Sequence, residues 1–131
     1  MQVLHFYLKL VRNQSNYVEL RYFENNPNNY QSRLLALAEI ADLIQLSEQD
    51  YYISLPADYV ETGTKLFNWL DGNDRFFQQL LNKHRRKGIV LAISAQGNLA
   101  HQPWELLHDG ESYLVQRKPG IIPVRWKSKD I

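Results

Sequence analysis

The seven residues at positions 89–95, Ile-Val-Leu-Ala-Ile-Ser-Ala, carry one polar side chain and lie between Gly88 and the pair Gln96-Gly97. A short, nearly continuous apolar run of this kind predicts a β-strand buried on both faces rather than a half-exposed one, which would alternate. Strands buried on both faces are usually central in sheets covered by helices. The rest of the chain therefore has to supply neighbouring strands and a helical layer.

Both are written in its periodicity. Over residues 3–12, Leu4, Phe6, Leu8 and Leu10 alternate with His5, Tyr7 and Lys9, and over residues 17–24 Val18, Leu20 and Tyr22 share a face. Two period-2 runs around the polar turn at 13–16 predict a β-hairpin with one buried side. The Asn-Asn-Pro-Asn-Asn break at 25–29 follows. Residues 30–46 then read as a helix on the three- and four-residue steps of Leu34, Leu37, Ala38, Ala41 and Ile44, with Asn28 and Gln31 resembling a capping box. The signal weakens over 47–62, where Tyr-Tyr-Ile-Ser-Leu-Pro at 51–56 suits a short strand. A helix over 64–70 places Leu66, Phe67 and Leu70 on one side. The next, capped by Asn73 or Asp74, places Phe76, Phe77, Leu80, Leu81 and His84 together and ends at Gly88 in a left-handed cap. Beyond the apolar run, a short helix starts at Pro103, and residues 113–116 and 121–126 read as two further strands. The order predicts a single α/β domain over 1–131: a mixed sheet with an N-terminal hairpin, about three helices and three further strands.

Several kinds of chemistry are disfavoured by the same residues. With 15 Lys plus Arg against 14 Asp plus Glu, the net charge of +1 gives no global reason to expect nucleic acid or an acidic membrane as partner. Cysteine is absent, which removes disulfides, thiolate metal sites and a cysteine nucleophile. With no 18-residue apolar run and no cleavable signal pattern, the chain reads as soluble and cytoplasmic. His101, Glu105 and His108 have a 4-then-3 spacing that on one helix face would suggest a metal site, but Pro103 puts the helix start after His101. Ser94 ends the apolar strand without the glycine-flanked elbow of a serine nucleophile. Glu105 and Asp109 read as separate solvated charges, since Asp109-Gly110 is most simply a turn. Gly97 stands alone, without a phosphate-loop pattern. The cluster Lys-His-Arg-Arg-Lys at 83–87 suits a helix C-terminus, with docking of an acidic partner or RNA left as a secondary role. The aromatic residues sit at core-like spacings.

Asn98 to Val115 is the densest stretch, and its own residues read as structural: Pro103 starts a turn of helix, Trp104 with Leu106 or Leu107 anchors it in the core, and His108 to Ser112 turns the chain. The same stretch resembles the N-terminal part of CHAT domains, caspase-like domains related to cysteine peptidases and common in bacteria. Pro103, Trp104, Glu105, Leu106, Leu107, Asp109 and Gly110 match the family's "PWELL" segment and Asp-containing turn, followed by a short strand and a strand ending in Arg. Upstream, the Gly-x-x-Leu-Phe-x-x-Leu segment from Gly63 and the basic-ended helix after it resemble the family's preceding helix pair. The resemblance implies a caspase-like sheet and a family whose catalytic His and Cys lie in later segments. On that reading this chain is a partial domain, with no catalytic, cofactor-binding or metal residue of its own. It would be the non-catalytic scaffold or regulatory section of a CHAT cysteine protease in bacterial signalling or defence, its partner the rest of the protease. The alternative is a stand-alone protein-interaction module without protease activity. Either way, an incomplete sheet implies an exposed edge near 121–126 and pairing there with further CHAT sequence, a partner protein or a second copy.

Overall fold

The computed structural model describes residues 2–13, 16–48 and 59–126. Five strands form one mixed sheet: β1 (Gln2–Leu10), β2 (Tyr17–Phe23), β3 (Gln31–Ala36), β4 (Ile89–Ala95) and β5 (Ile121–Arg125), in the spatial order β3-β2-β1-β4-β5. The β1–β2 and β2–β3 pairs are antiparallel; β1–β4 and β4–β5 are parallel. Among the described residues there are three α-helices: α1 (Ala41–Glu48), α2 (Tyr59–Asp71) and α3 (Phe76–Lys83). The chain is thus an α/β protein with the expected hairpin at its start and the apolar run 89–95 inside the sheet.

The alternation in β1 sorts the two faces. Leu4, Phe6 and Leu8 are fully buried and join Leu66, Phe67 and Leu70 of α2 and Phe77 and Leu81 of α3 in one core. Stacked and tilted rings knit this layer: Phe6 lies 5.2 Å from Phe77, and Phe67 lies 4.9 Å from Phe77. Burial of this many aliphatic and aromatic side chains, each contributing on the order of 1.5–3 kcal/mol, is the main source of stability. α1 joins the same layer through Leu43, and Lys65 of α2 reaches Asp42 of α1 at 2.7 Å. The opposite face carries Val3, His5 and Tyr7 of β1, Phe23 of β2, Val90 and Ala92 of β4, and Ile122 and Val124 of β5, as the registers require. None of these residues belongs to the core cluster.

Residues 30–46 depart from the expected single helix. Residues Gln31–Ala36 are β3, a 3-10 turn spans Leu37–Ile40, and only then does α1 begin. Leu34, Leu35, Leu37 and Ala38 fit either period, and the open outer edge of β2 decides the first half by pairing Val18 with Leu35 and Leu20 with Arg33. The proposed capping box falls with it: Asn28 sits in a turn, its N–H donating to Asn26 Oδ1 at 2.9 Å, and Gln31 opens a strand. The expected short strand at 51–56 lies outside the described residues.

Three smaller expectations change as well. Asn73 and Asp74 do not cap α3; Arg75 precedes it at φ +54°, and Asp71 from the end of α2 accepts the Gln78 N–H at 2.8 Å instead. Asp74 pairs with Arg33, at 2.8 and 3.2 Å, and its carboxyl also feels the Phe76 N–H at the start of α3. Gly88 is not a left-handed cap, because α3 closes at His84 and the left-handed glycines among the described residues are Gly72, Gly97 and Gly110. Its carbonyl accepts the Gln2 N–H at 2.9 Å. Residues 113–116 form no strand: Tyr113 makes one bridge to His108 and a 3-10 turn follows at Leu114–Gln116. Both edges of β4 are taken by β1 and β5, so this segment cannot pair with the strand it follows.

Candidate functional site

The connection from β4 to β5 runs over the helical face, and there the residues 99–113 form a single braced loop. A 3-10 turn at Gly97–His101 leads through Gln102 and Pro103 into a second at Trp104–Leu106. Trp104 is 1% exposed, and its indole N–H donates to the Leu99 carbonyl at 3.0 Å, so the largest apolar side chain of the loop is buried with its polar atom satisfied. Leu107, fully buried, is the second anchor, while Leu106 is half-buried.

The loop is pressed onto α2 by a backbone contact. A Cβ on Gly63 would lie 1.7 Å from the Leu106 carbonyl oxygen, closer than any side chain can approach. The neighbouring Gly63 carbonyl accepts the His108 N–H at 3.2 Å. Gly63, the first residue of the Gly-x-x-Leu-Phe segment, and the Trp104–Leu107 segment are therefore one packing unit.

Glu105 finds a partner that sequence reading did not identify. It is exposed at the surface, where its carboxylate receives Arg125 at 3.1 and 3.3 Å. Arg125, the last residue of β5, also donates to the carbonyls of Ala100 and Gln102, the latter at 2.8 Å. One guanidinium thus ties the end of β5 to both 3-10 turns. The strand-final Arg was the available signal; its partner stood 20 residues earlier.

Asp109 and Gly110 make the turn that closes the loop. Asp109 Oδ1 accepts the N–H groups of Glu111 at 2.8 Å and Ser112 at 2.9 Å, and Gly110 sits at φ +100°, a conformation that favours glycine. Burial works to raise the Asp109 pKa, but the Ser112 and Glu111 amides, with the charge of Arg117, outweigh it and hold the carboxyl below its ordinary value.

The histidines do not converge. His101 is exposed, while His108 is buried, with its ring edge-on to Tyr113 at 5.0 Å. Thr64 Oγ1 lies 3.4 Å from His108 Nδ1, a contact that on distance alone resembles a nucleophile and its base. The Gly110 N–H donates to that same Nδ1 at 3.0 Å, so its lone pair is already engaged and the ring serves to hold the turn. Among the described residues no group of three or more His, Asp or Glu is arranged to hold a metal ion. Ser94 is buried at the end of β4. The arrangement positions backbone; it does not assemble an acid, a base and a nucleophile.

His5 lies on the opposite face of the sheet, stacked on Phe23 at 4.5 Å and edge-on to Trp126 at 5.5 Å. Burial lowers its pKa, and its Nδ1 has no hydrogen-bond partner among the described residues. Around it the sheet stays open: Ile122 is 49% exposed, Val124 37% and Trp126 49%. No helix among the described residues is long and apolar enough to cross a membrane. Comparison with protein-family models, with curated proteins and with solved structures returns no match to this chain.

Proposed function

We propose that this chain is the non-catalytic scaffold section of a caspase-like CHAT domain, whose catalytic His and Cys are supplied by sequence beyond it, and that it works in bacterial signalling or defence. The observation that carries the reading is the one-sided sheet. β1, β4 and β5 run parallel within this mixed sheet, and sheets made wholly of parallel strands occur almost only where both faces are covered. Among the described residues the three helices lie on one face, and the other presents Val3, His5, Ile122, Val124 and Trp126 beside a β5 edge that no described strand pairs. A sheet of this kind is suited to receive further strands at that edge and a second layer on that face.

The braced loop fits a supporting role. Gly63, Trp104, Leu107 and Arg125 lock it to α2 and β5, giving later strands a fixed neighbour on which to build. The test is the reading frame downstream of Ile131. A His-Gly segment followed by an apolar strand and a Cys is expected; a stop codon directly after Ile131 overturns the section reading and leaves a stand-alone interaction module. The purified chain alone is expected to show no peptidase activity, and hydrolysis of peptide substrates by it would contradict the scaffold role.

A further inference from the structure

Five of the fifteen Lys and Arg residues converge on one cleft at the end of the sheet where β4 and β5 begin. Arg85, Arg86 and Lys87 come from the turn between α3 and β4; Arg117 and Lys118 come from the turn before β5. The cleft measures about 440 Å3, has Leu81 and Pro119 in its apolar wall, and is lined by no carboxylate among the described residues. Arg117 is held at 3.5 Å by Asp109, and no ion pair joins the other four to a carboxylate among the described residues. The helix dipole accounts for little of this, since α3 ends at Lys83 and the dipole acts within the last turn.

The two turns are fixed by backbone bonds. Lys87 N–H donates to the His84 carbonyl at 3.0 Å, Arg117 N–H to Leu114 at 3.2 Å, and Ile89 N–H to Gly120 at 3.1 Å, which joins one turn to the other. The cations are therefore gathered by the fold, against their mutual repulsion, and a bound anion relieves that repulsion. Size and charge together decide what kind of anion. The volume falls within the range of small-molecule sites, roughly 300–1,000 Å3. The chain as a whole has a net charge of only +1, which argues against the extended basic surface that a nucleic-acid strand requires. Guanidinium forks match phosphate oxygens in bidentate geometry.

We propose that this cleft binds a small ligand carrying two or more phosphate groups, with Arg85, Arg86, Lys87 and Lys118 as its contacts. Isothermal titration of the whole chain with inorganic tripolyphosphate and with adenosine triphosphate tests it at near-physiological salt. Saturable one-to-one binding of either probe is expected. Binding of both at equal strength means recognition of the phosphates alone, and stronger binding of the nucleotide means that the wall contributes. Arg86→Gln and Lys118→Gln are each expected to weaken binding roughly tenfold, the scale of one lost charge-assisted contact. Both side chains are exposed, so the unfolding midpoint should stay unchanged. Lys9→Gln and Arg12→Gln, cations outside the cleft, should leave affinity as it is. The proposal is overturned by an absence of saturable binding at millimolar probe, by equal weakening in the Lys9 and Arg12 variants, or by single-stranded RNA or an acidic peptide binding the cleft more tightly than either probe.

Discussion

Gly63 is the position at which one added carbon changes most. Gly63→Ala would drive its methyl into the Leu106 carbonyl, and the destabilisation expected is about 3 kcal/mol, at the upper end for overpacking, measured by urea unfolding. Trp104→Phe keeps much of the apolar bulk and leaves the Leu99 carbonyl with the Gln102 N–H at 3.3 Å, so the expected loss is that of one hydrogen bond, about 1 kcal/mol. Glu105→Ala should cost under about 1 kcal/mol because the ion pair is exposed, and Arg125→Ala should cost more because the Ala100 and Gln102 carbonyls each lose a donor too, Gln102 keeping the Trp104 N–H. Glu24 contributes to the acid limb, beside the lowered carboxyls of Glu19, Asp42, Asp74 and Asp109. Tyr22 at 2.6 Å, His84 at 2.8 Å and Lys83 at 3.1 Å all donate to one of its oxygens, holding its pKa at about 2 against an ordinary 4.5. A carboxyl depressed in the folded state stabilises above its unfolded pKa, and that contribution is lost as pH falls from about 4.5 towards 2. Unfolding free energies measured across this window should therefore fall less steeply for Glu24→Gln than for the parent chain.

At the scale of elements, β5 combines an edge unpaired among the described residues with an exposed apolar face, so the chain alone is expected to self-associate at high concentration. Light scattering should show mass rising with concentration, and Val124→Lys, which puts a charge on that strand, should abolish the rise; a monomer throughout would refute edge association. How far elements could be read beforehand depended on whether the deciding contact was local. β1 and β2 were legible because each buries one face of its own strand, so the alternation is in the residues themselves. β3 was not, because its leucines satisfy helix and strand alike and the choice rests with the edge of β2. In the loop before β5, Pro103 and Trp104 declared an anchored turn directly. Glu105 told nothing of Arg125, since an ion pair across the β4–β5 connection leaves no mark in local spacing.

Over the whole molecule the described helices hold one face of the sheet, and the braced loop joins β4 to β5. The scaffold reading makes a mechanical demand at this scale: adding the covering layer should slow amide exchange in β5 more than in β2, which already has neighbours on both edges. Equal protection of the two strands with and without the downstream sequence would count against it. β1 sets a further condition, one of timing. Its first partner, β2, emerges at once, but its second is β4, where Gln2 pairs with Ile89. At roughly 5–20 residues per second, a ribosome needs several seconds to make the sequence between them. Through that interval the nascent hairpin holds out a bare strand edge and the apolar row Leu4, Phe6 and Leu8, awaiting a partner still being translated. Birth of this protein is thus a wait between two strands.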